Sequence, residues 1–376
     1  MTEAAEKKRR ISKNSAAMIA VTAAMLIINM VSWVSTPLTD MYSQRIFPGV
    51  SQLFSSLTGV LPFSLGEIMI GAGILLLVAA PCIFIPLIIR KNKRLVKRFG
   101  IIYGWILIFI LVTETLNCFV LYHTTEFSER YHNSAGADGF TVSELTSLCE
   151  ETVRRANELA PLVKRDETGR MVVPENMAQL AEDAMNRLAE DYPPLAGKYP
   201  EPKRIKMSML MTQLDLQGIY FPFSLEANYN NDLSPARVPC TVMHELSHLK
   251  GYIREDEACF IAYRACLESE SPEVQYSGYI SAMNYLFSAV SKNASEAETN
   301  RLRGLISAQV RADNTFVSAE FMQQVEEKAV IPTKTVKKVS AKAMDTTLKL
   351  NGISDGKKSY GRMVNLLLEY HYCIKE

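Results

Sequence analysis

Three stretches of this chain carry almost no charge, and they decide what it can fold into. No charged residue occurs from Ala16 to Val34 or from Ile68 to Ile89, and from Phe99 to Tyr122 the only one is Glu114. Each run is about 20 residues, which at about 1.5 Å per residue crosses a hydrocarbon core of about 30 Å. The runs read as membrane helices over about 16–37, 66–89 and 99–122, forming a three-helix anchor in residues 1–122. A cleavable signal sequence is the alternative for the first run, because Lys7, Lys8, Arg9, Arg10 and Lys13 precede it. The run is long for a signal core and "SWVSTPLTD" offers no clear small-x-small cleavage site, so we read an anchor.

Orientation follows from the basic residues. The link "RKNKRLVKR", Arg90 to Arg98, is mostly Lys and Arg, whereas the link from Ser35 to Glu67 has Arg45 as its only basic residue. Basic loops stay on the cytoplasmic side, which puts the amino terminus and the second link inside and residues 123–376 outside the cytoplasmic membrane. The inner basic link suits anionic lipid headgroups of the bilayer. The outer part holds 29 Lys+Arg against 35 Asp+Glu, and a net-acidic domain is a poor nucleic-acid binder. Cys82 and Cys118 fall in membrane helices, leaving Cys149, Cys240, Cys259, Cys266 and Cys373 without paired spacing. At most one or two bridges are expected, so the outer domain depends on its core.

Along that domain, "TVSELTSLCEETVRRANELAPLV" opens with Thr141 and Glu144 in capping-box spacing and predicts a helix ending near Pro161. A second helix is expected from Pro174 to about Asp191. "KMSMLMTQL" (206–214) and "GIYFPFSLEAN" (218–228) read as strands of a small antiparallel sheet, joined by a turn around Gln217 and Gly218. Helices follow at Cys240 to Lys250, Glu255 to Ser269, Pro272 to Lys292 and Ser295 to Ala312, with more from Ser318 and at the carboxy terminus. The lysine-rich "TKTVKKVSAKAM" reads as a solvated face or loop.

Two of the five histidines, His244 and His248, stand four apart around Glu245 in "HELSH". On a helix four residues turn about 400°, so both imidazoles lie on one face and can grip one ion. Glu245, one step after the first ligand, is placed to act as base on a water held there. Zinc suits two neutral imidazoles and keeps a position open for chemistry. Val242, Leu246 and Leu249 form an apolar stripe nearly opposite the histidines, which are expected to face something other than that core.

A third ligand must come from nearby, and Glu255, Asp256 and Glu257 are all close. At about 100° per residue, Cys259, Ala262 and Cys266 fall on the side of Glu255, with Ala258 and Ala265 flanking them. Such a small-residue face is where a neighbouring helix approaches. Glu257 shares its side with Arg264 and Glu268. Glu255 is therefore expected in the cleft as ligand and Glu257 toward water, with Glu257 kept as the alternative ligand. Gly251 lets the chain reverse between the two helices.

The pattern H-E-x-x-H followed by E-x-x-A-[D/N], here Glu255-Asp256-Glu257-Ala258-Cys259, resembles the gluzincin metallopeptidases, including the membrane-bound CAAX-processing type and the ImmA-like regulatory type. Cys259 stands where that pattern has Asp or Asn. The longer stretch "GIYFPFSLEANYN…HELSHLKGYIREDEACFIAYRAC" behind three membrane helices is similar to a bacterial family of three-helix membrane proteins with an extracytoplasmic domain carrying this motif. The resemblance implies a mainly α, α+β zincin-like domain in residues 123–376. It also implies zinc held by His244, His248 and Glu255, a peptide or protein substrate, and an edge strand that pairs with it, for which "GIYFPFSLEAN" is in the right place.

Weaker signals surround the motif. Glu226 and Asp256 are candidates to accept the outer ring hydrogen of a ligand histidine. Tyr360 or Arg362 would donate to a developing oxyanion if the carboxy-terminal helix folds over the cleft. His123, His132 and His371 read as surface or interface residues. Glu114, in the third membrane helix, is costly enough there to suggest function; the alternative is a carboxyl near the outer boundary that is protonated, wet, or paired with Asn29 or Asn117. The favoured reading is a membrane-anchored zinc peptidase, and the competing one a zincin-like sensor or binding scaffold without turnover. An intramembrane protease is disfavoured because Lys250, Arg254 and three consecutive acids flank the motif.

Overall fold

The computed structural model describes residues 12–133, 139–354, 356 and 361–375. Helices dominate it, and three of them, Lys13–Val34, Leu65–Ile89 and Lys93–Tyr122, are long and apolar enough to cross a membrane. Each starts where a side chain accepts a first-turn N–H: Ser12 from Ser15, Ser64 from Glu67 and Asn92 from Leu95. The most apolar windows of the three are only 11%, 0% and 6% buried, so protein leaves this apolar surface uncovered.

The described residues beyond these helices pack around one large core and a smaller one that includes Val153, Ala156, Tyr276 and Ile280. Helix Val142–Leu159 begins on the expected capping box, with the Thr141 N–H donating to Glu144 at 2.7 Å. It packs on Pro272–Asn293, and Met177–Leu188 packs on Glu255–Glu268. Phe47, from the link between the first two apolar helices, is buried in the large core with Leu246, Phe260 and Leu367. That link and the residues beyond 122 therefore lie on one side of the three helices. No disulfide joins Cys82, Cys118, Cys149, Cys240, Cys259 or Cys266.

The sheet differs from expectation. It is mixed: β1 (Lys203–Ile205) pairs parallel with β3 (Glu226–Asn230), and β2 (Gly218–Phe221) pairs antiparallel with β3, in the order β1-β3-β2. Residues 206–214 are not a strand but contain the helix Ser208–Leu214. Its buried Ser208, Met211 and Thr212 recur at helical spacing, and Met and Leu favour a helix over a strand. The run 218–228 is two strands, because Pro222 has no N–H for the ladder and Leu225 turns through a positive φ of 52°. Residues 295–312 split into Glu296–Leu305 and Ala308–Asp313, where Ser307 caps the second piece. The lysine-rich stretch is a helix, Thr333–Leu350.

Glu226, at the start of β3, is buried and ties the sheet to the second apolar helix. Its carboxylate accepts the N–H of Leu65 at 3.1 Å and of Gly66 at 2.9 Å, and the Ser224 hydroxyl at 2.7 Å. A negative group there meets the positive end of the helix dipole. Glu226→Gln is expected to destabilise the chain by about 2 kcal/mol, the worth of charge-assisted hydrogen bonds. Thermal unfolding in detergent checks this, and an unchanged midpoint contradicts it.

Candidate metal centre

The motif helix Val238–Leu249 runs through the middle of the core and is buried on nearly every side. Only His244 among its residues remains partly open, because it lines a cavity of about 1200 Å³ together with Glu245, His248 and Glu255. After Leu249 the chain reverses through Gly251, whose φ of +94° is the left-handed region that glycine adopts freely. The next helix, Glu255–Glu268, starts at once, so Glu255 returns to the histidine face. His244 Nε2 and His248 Nε2 lie 3.1 Å apart, and His244 Nε2 lies 3.1 Å from Glu255 Oε2. One donor atom from each of the three residues falls within 4.8 Å of the others. Two ligand atoms each about 2.0–2.1 Å from a tetrahedral ion stand a little over 3 Å apart, so the spacing fits a divalent cation.

Hydrogen bonds orient both rings. His248 Nδ1 is 2.7 Å from the Tyr252 carbonyl, which can only accept, so Nδ1 carries the hydrogen and Nε2 turns its lone pair to the centre. His244 Nδ1 is 3.5 Å from Cys259 Sγ, and that sulfur is 3.0 Å from the Tyr285 hydroxyl. Cys259 thus occupies the outer position of His244, while Glu226 and Asp256 do not reach either ring. Glu226 caps the second apolar helix, and Asp256 accepts from Arg362 Nε at 2.8 Å. Arg362 is accordingly drawn to Asp256 rather than offered to the cleft; Tyr360 lies outside the described residues.

Glu257 also departs from expectation. It is buried, accepts the Phe127 N–H at 2.8 Å and sits 3.4 Å from Arg254, so backbone and guanidinium hold it away from both histidines. Burial pushes its pKa up to about 7. His132 is no surface residue either: it is enclosed against Glu369 at 3.0 Å. His123 stacks beside Trp33 and Phe119, and His371 lies 3.4 Å from Glu151. Asn117, considered as a partner of Glu114, instead donates its Nδ2 to the Pro222 carbonyl at 2.7 Å.

Glu245 is the least satisfied polar group of the site. It is 4% exposed, and Oε2 has no partner. Burial pushes its pKa up to about 8. Gly218 of β2 lies so close that a Cβ there would sit 2.3 Å from Oε1. Gly218→Ala is therefore expected to displace the carboxylate and lower any turnover by about a hundredfold, the cost of misplacing a reacting group by about 1 Å. Comparison of kcat/KM with far-ultraviolet circular dichroism separates this from misfolding.

The histidines at the centre are pushed in opposite directions. Burial works against a charged His244, yet Cys259 and the carboxylates of Glu255 and Glu245 raise its pKa well above the ordinary value. Burial lowers His248 to about 4, with His244 adding to the effect. Burial thus favours the neutral form of His248, while the acidic neighbours of His244 favour its protonated form.

β2 is an edge strand, and Gly218, Ile219 and Tyr220 line the cavity. The opposite wall is the helix Thr333–Leu350, which contributes Val336, Ser340, Ala343 and Thr347. This wall and Tyr285 were not anticipated from sequence; the recurrence of small and apolar residues at 336, 340, 343 and 347 was the available signal.

Fold and site together define a mainly helical protein with three long apolar helices and a His-His-Glu cluster in an open cleft. The chain belongs to the family described as Protein of unknown function (DUF3810), which it matches over residues 42–368. No curated protein and no solved structure matches it.

Proposed function

We propose that this chain is a membrane-anchored, zinc-dependent metallopeptidase that hydrolyses peptide bonds outside the cytoplasm. The observation that carries the reading is the convergence of His244, His248 and Glu255 beside a buried carboxylate, Glu245, with an unpaired oxygen. His244, His248 and Glu255 would hold the ion. A zinc ion supplies Lewis acidity toward a carbonyl and a water. Glu245 takes the proton of the attacking water and returns it to the leaving amine; its raised pKa matches that exchange. β2 offers its free edge to an extended peptide, holding it by the backbone.

Residues 1–122 are assigned as the anchor and 123–376 as the zincin-like outer domain. Packing of Phe47 and Ser51 on that domain, with Ser51 Oγ 2.6 Å from the Leu249 carbonyl, supports placing the first link on the same side. The basic link would then be cytoplasmic. The experiment is to purify the full chain in detergent, measure bound metal and follow cleavage of a mixed peptide library with and without chelator. Cleavage that stops on chelation and returns with zinc is expected; a folded, metal-loaded chain that cleaves nothing contradicts the enzyme. The competing reading, a binding scaffold without turnover, is favoured by one observation: a thiol, not a carboxylate, faces His244 Nδ1.

Metal entry competes with the proton that the acidic neighbours of His244 favour there. Calorimetry in buffers of different ionisation enthalpy is expected to show release of about one proton or more per ion near neutral pH. Affinity should rise about tenfold per pH unit between about pH 5 and 7. An affinity independent of pH contradicts the cluster as the binding site.

A further inference from the structure

The helix Phe47–Gly59, between the first two apolar helices, is amphipathic in the wrong sense for water. It turns Ser51, Ser55 and Thr58 inward and leaves Leu53, Phe54 and Leu57 exposed, followed by Val60 at 80% exposure. An aqueous helix does the opposite. The segment is joined through residues 35–46 to Lys13–Val34 and through residues 60–64 to Leu65–Ile89, both long and apolar enough to cross a membrane, so the cover for this face is lipid. Ser51 Oγ donates to the carbonyl of Leu249, the last residue of the motif helix, at 2.6 Å. A helix is about 10 Å across, so the motif helix rests about one helix diameter above the hydrocarbon.

A second observation also sets the site's strand beside a membrane-crossing helix. The β2–β3 turn is held by Asn117 Nδ2, which donates to the Pro222 carbonyl at 2.7 Å. The Phe223 ring then lies 6.1 Å from that of Phe109. At about 1.5 Å per residue, Phe109 is about 20 Å down the third apolar helix from Tyr122. Cys118 and Tyr122 of that helix line the same cavity as His244. Part of the cleft wall is thus a membrane-crossing helix, and β2 climbs from a turn beside that helix into the site.

We propose that the cleft takes polypeptides anchored in the same bilayer, binding along β2 the extended stretch next to their anchor. The inference rests on the peptidase reading for its chemistry, but the seat on lipid does not. At about 3.3 Å per residue along a strand, the bond presented to Glu245 lies about three to six residues from the substrate's membrane boundary.

The test uses the full chain in phosphatidylcholine–phosphatidylglycerol vesicles. Acylated fluorogenic peptides of mixed sequence are presented at equal surface density, with polar spacers of about 2, 8 and 24 residues between anchor and cleavable stretch. The fastest cleavage is expected at the shortest spacer, with about a tenfold decline to the longest. Cleavage that is equal at all lengths, or absent at short ones, overturns the inference and leaves the peptidase reading intact. Binding of the same peptides to the Glu245→Gln chain is read by quenching. A short-spacer preference in binding with no cleavage by the wild type keeps the inference and ends the peptidase reading; binding without preference overturns it. A diazirine phospholipid should label Leu53 to Val60 and spare Glu226 to Asn230; absence of label on the helix overturns the seat on the bilayer.

Discussion

Replacing Glu245 by Gln is expected to lower peptide hydrolysis by about 10²–10⁴-fold while leaving bound metal at the wild-type level. The range is that of removing a positioned general base. Glu245 is not among the proposed ligands: its carboxylate lies against Gly218, and the neutral amide keeps the shape while losing the proton acceptor. Substrate binding along β2 should survive, so KM changes little and kcat carries the loss. Measuring both constants with metal content distinguishes the enzyme from a scaffold, whose biology would not respond to the substitution. Equal loss of metal would instead place Glu245 among the ligands.

The second large effect separates the neighbouring carboxylates. Glu255→Ala is expected to weaken metal affinity by more than about a hundredfold, beyond the loss typical of partners outside the ligand set. Glu257→Gln should leave affinity near wild type but lower stability, because it disturbs the buried contact with the Phe127 N–H and Arg254. Wild-type stability should rise by about 2.7 kcal/mol when free zinc is a hundred times Kd, and in Glu255→Ala at that same zinc concentration the rise should nearly vanish. Titration of the midpoint of thermal unfolding against zinc reads both. A Glu257 variant that loses the metal response while Glu255→Ala keeps it would reverse the assignment.

Much of this architecture was legible because it rests on simple periodicities. Uncharged runs of spanning length announced the apolar helices, and the four-residue step from His244 to His248 set both rings on one face. Helical arithmetic then carried Glu255 to that face, since the turn at Gly251 is short. The same arithmetic failed for Glu257, whose partner, the Phe127 N–H, is 130 residues away and leaves no mark in local pattern. The Tyr252 carbonyl that orients His248 is backbone and equally invisible. β1 was missed because three residues are too few for alternation to register. The cleft wall at 333–350 was hidden by its lysines: Lys334, Lys338, Lys342 and Lys349 are exposed, while Val336, Lys337, Ser340, Ala343 and Thr347 line the cavity.

The claim on which the account depends is that His244, His248 and Glu255 bind one divalent cation without help from the nearby thiols of Cys240 and Cys259. Zinc K-edge absorption on the full chain loaded with one equivalent of zinc tests it directly. The account predicts a first shell of nitrogen and oxygen alone at about 2.0–2.1 Å. A sulfur shell at about 2.3 Å, or failure of the folded chain to retain zinc, would contradict it.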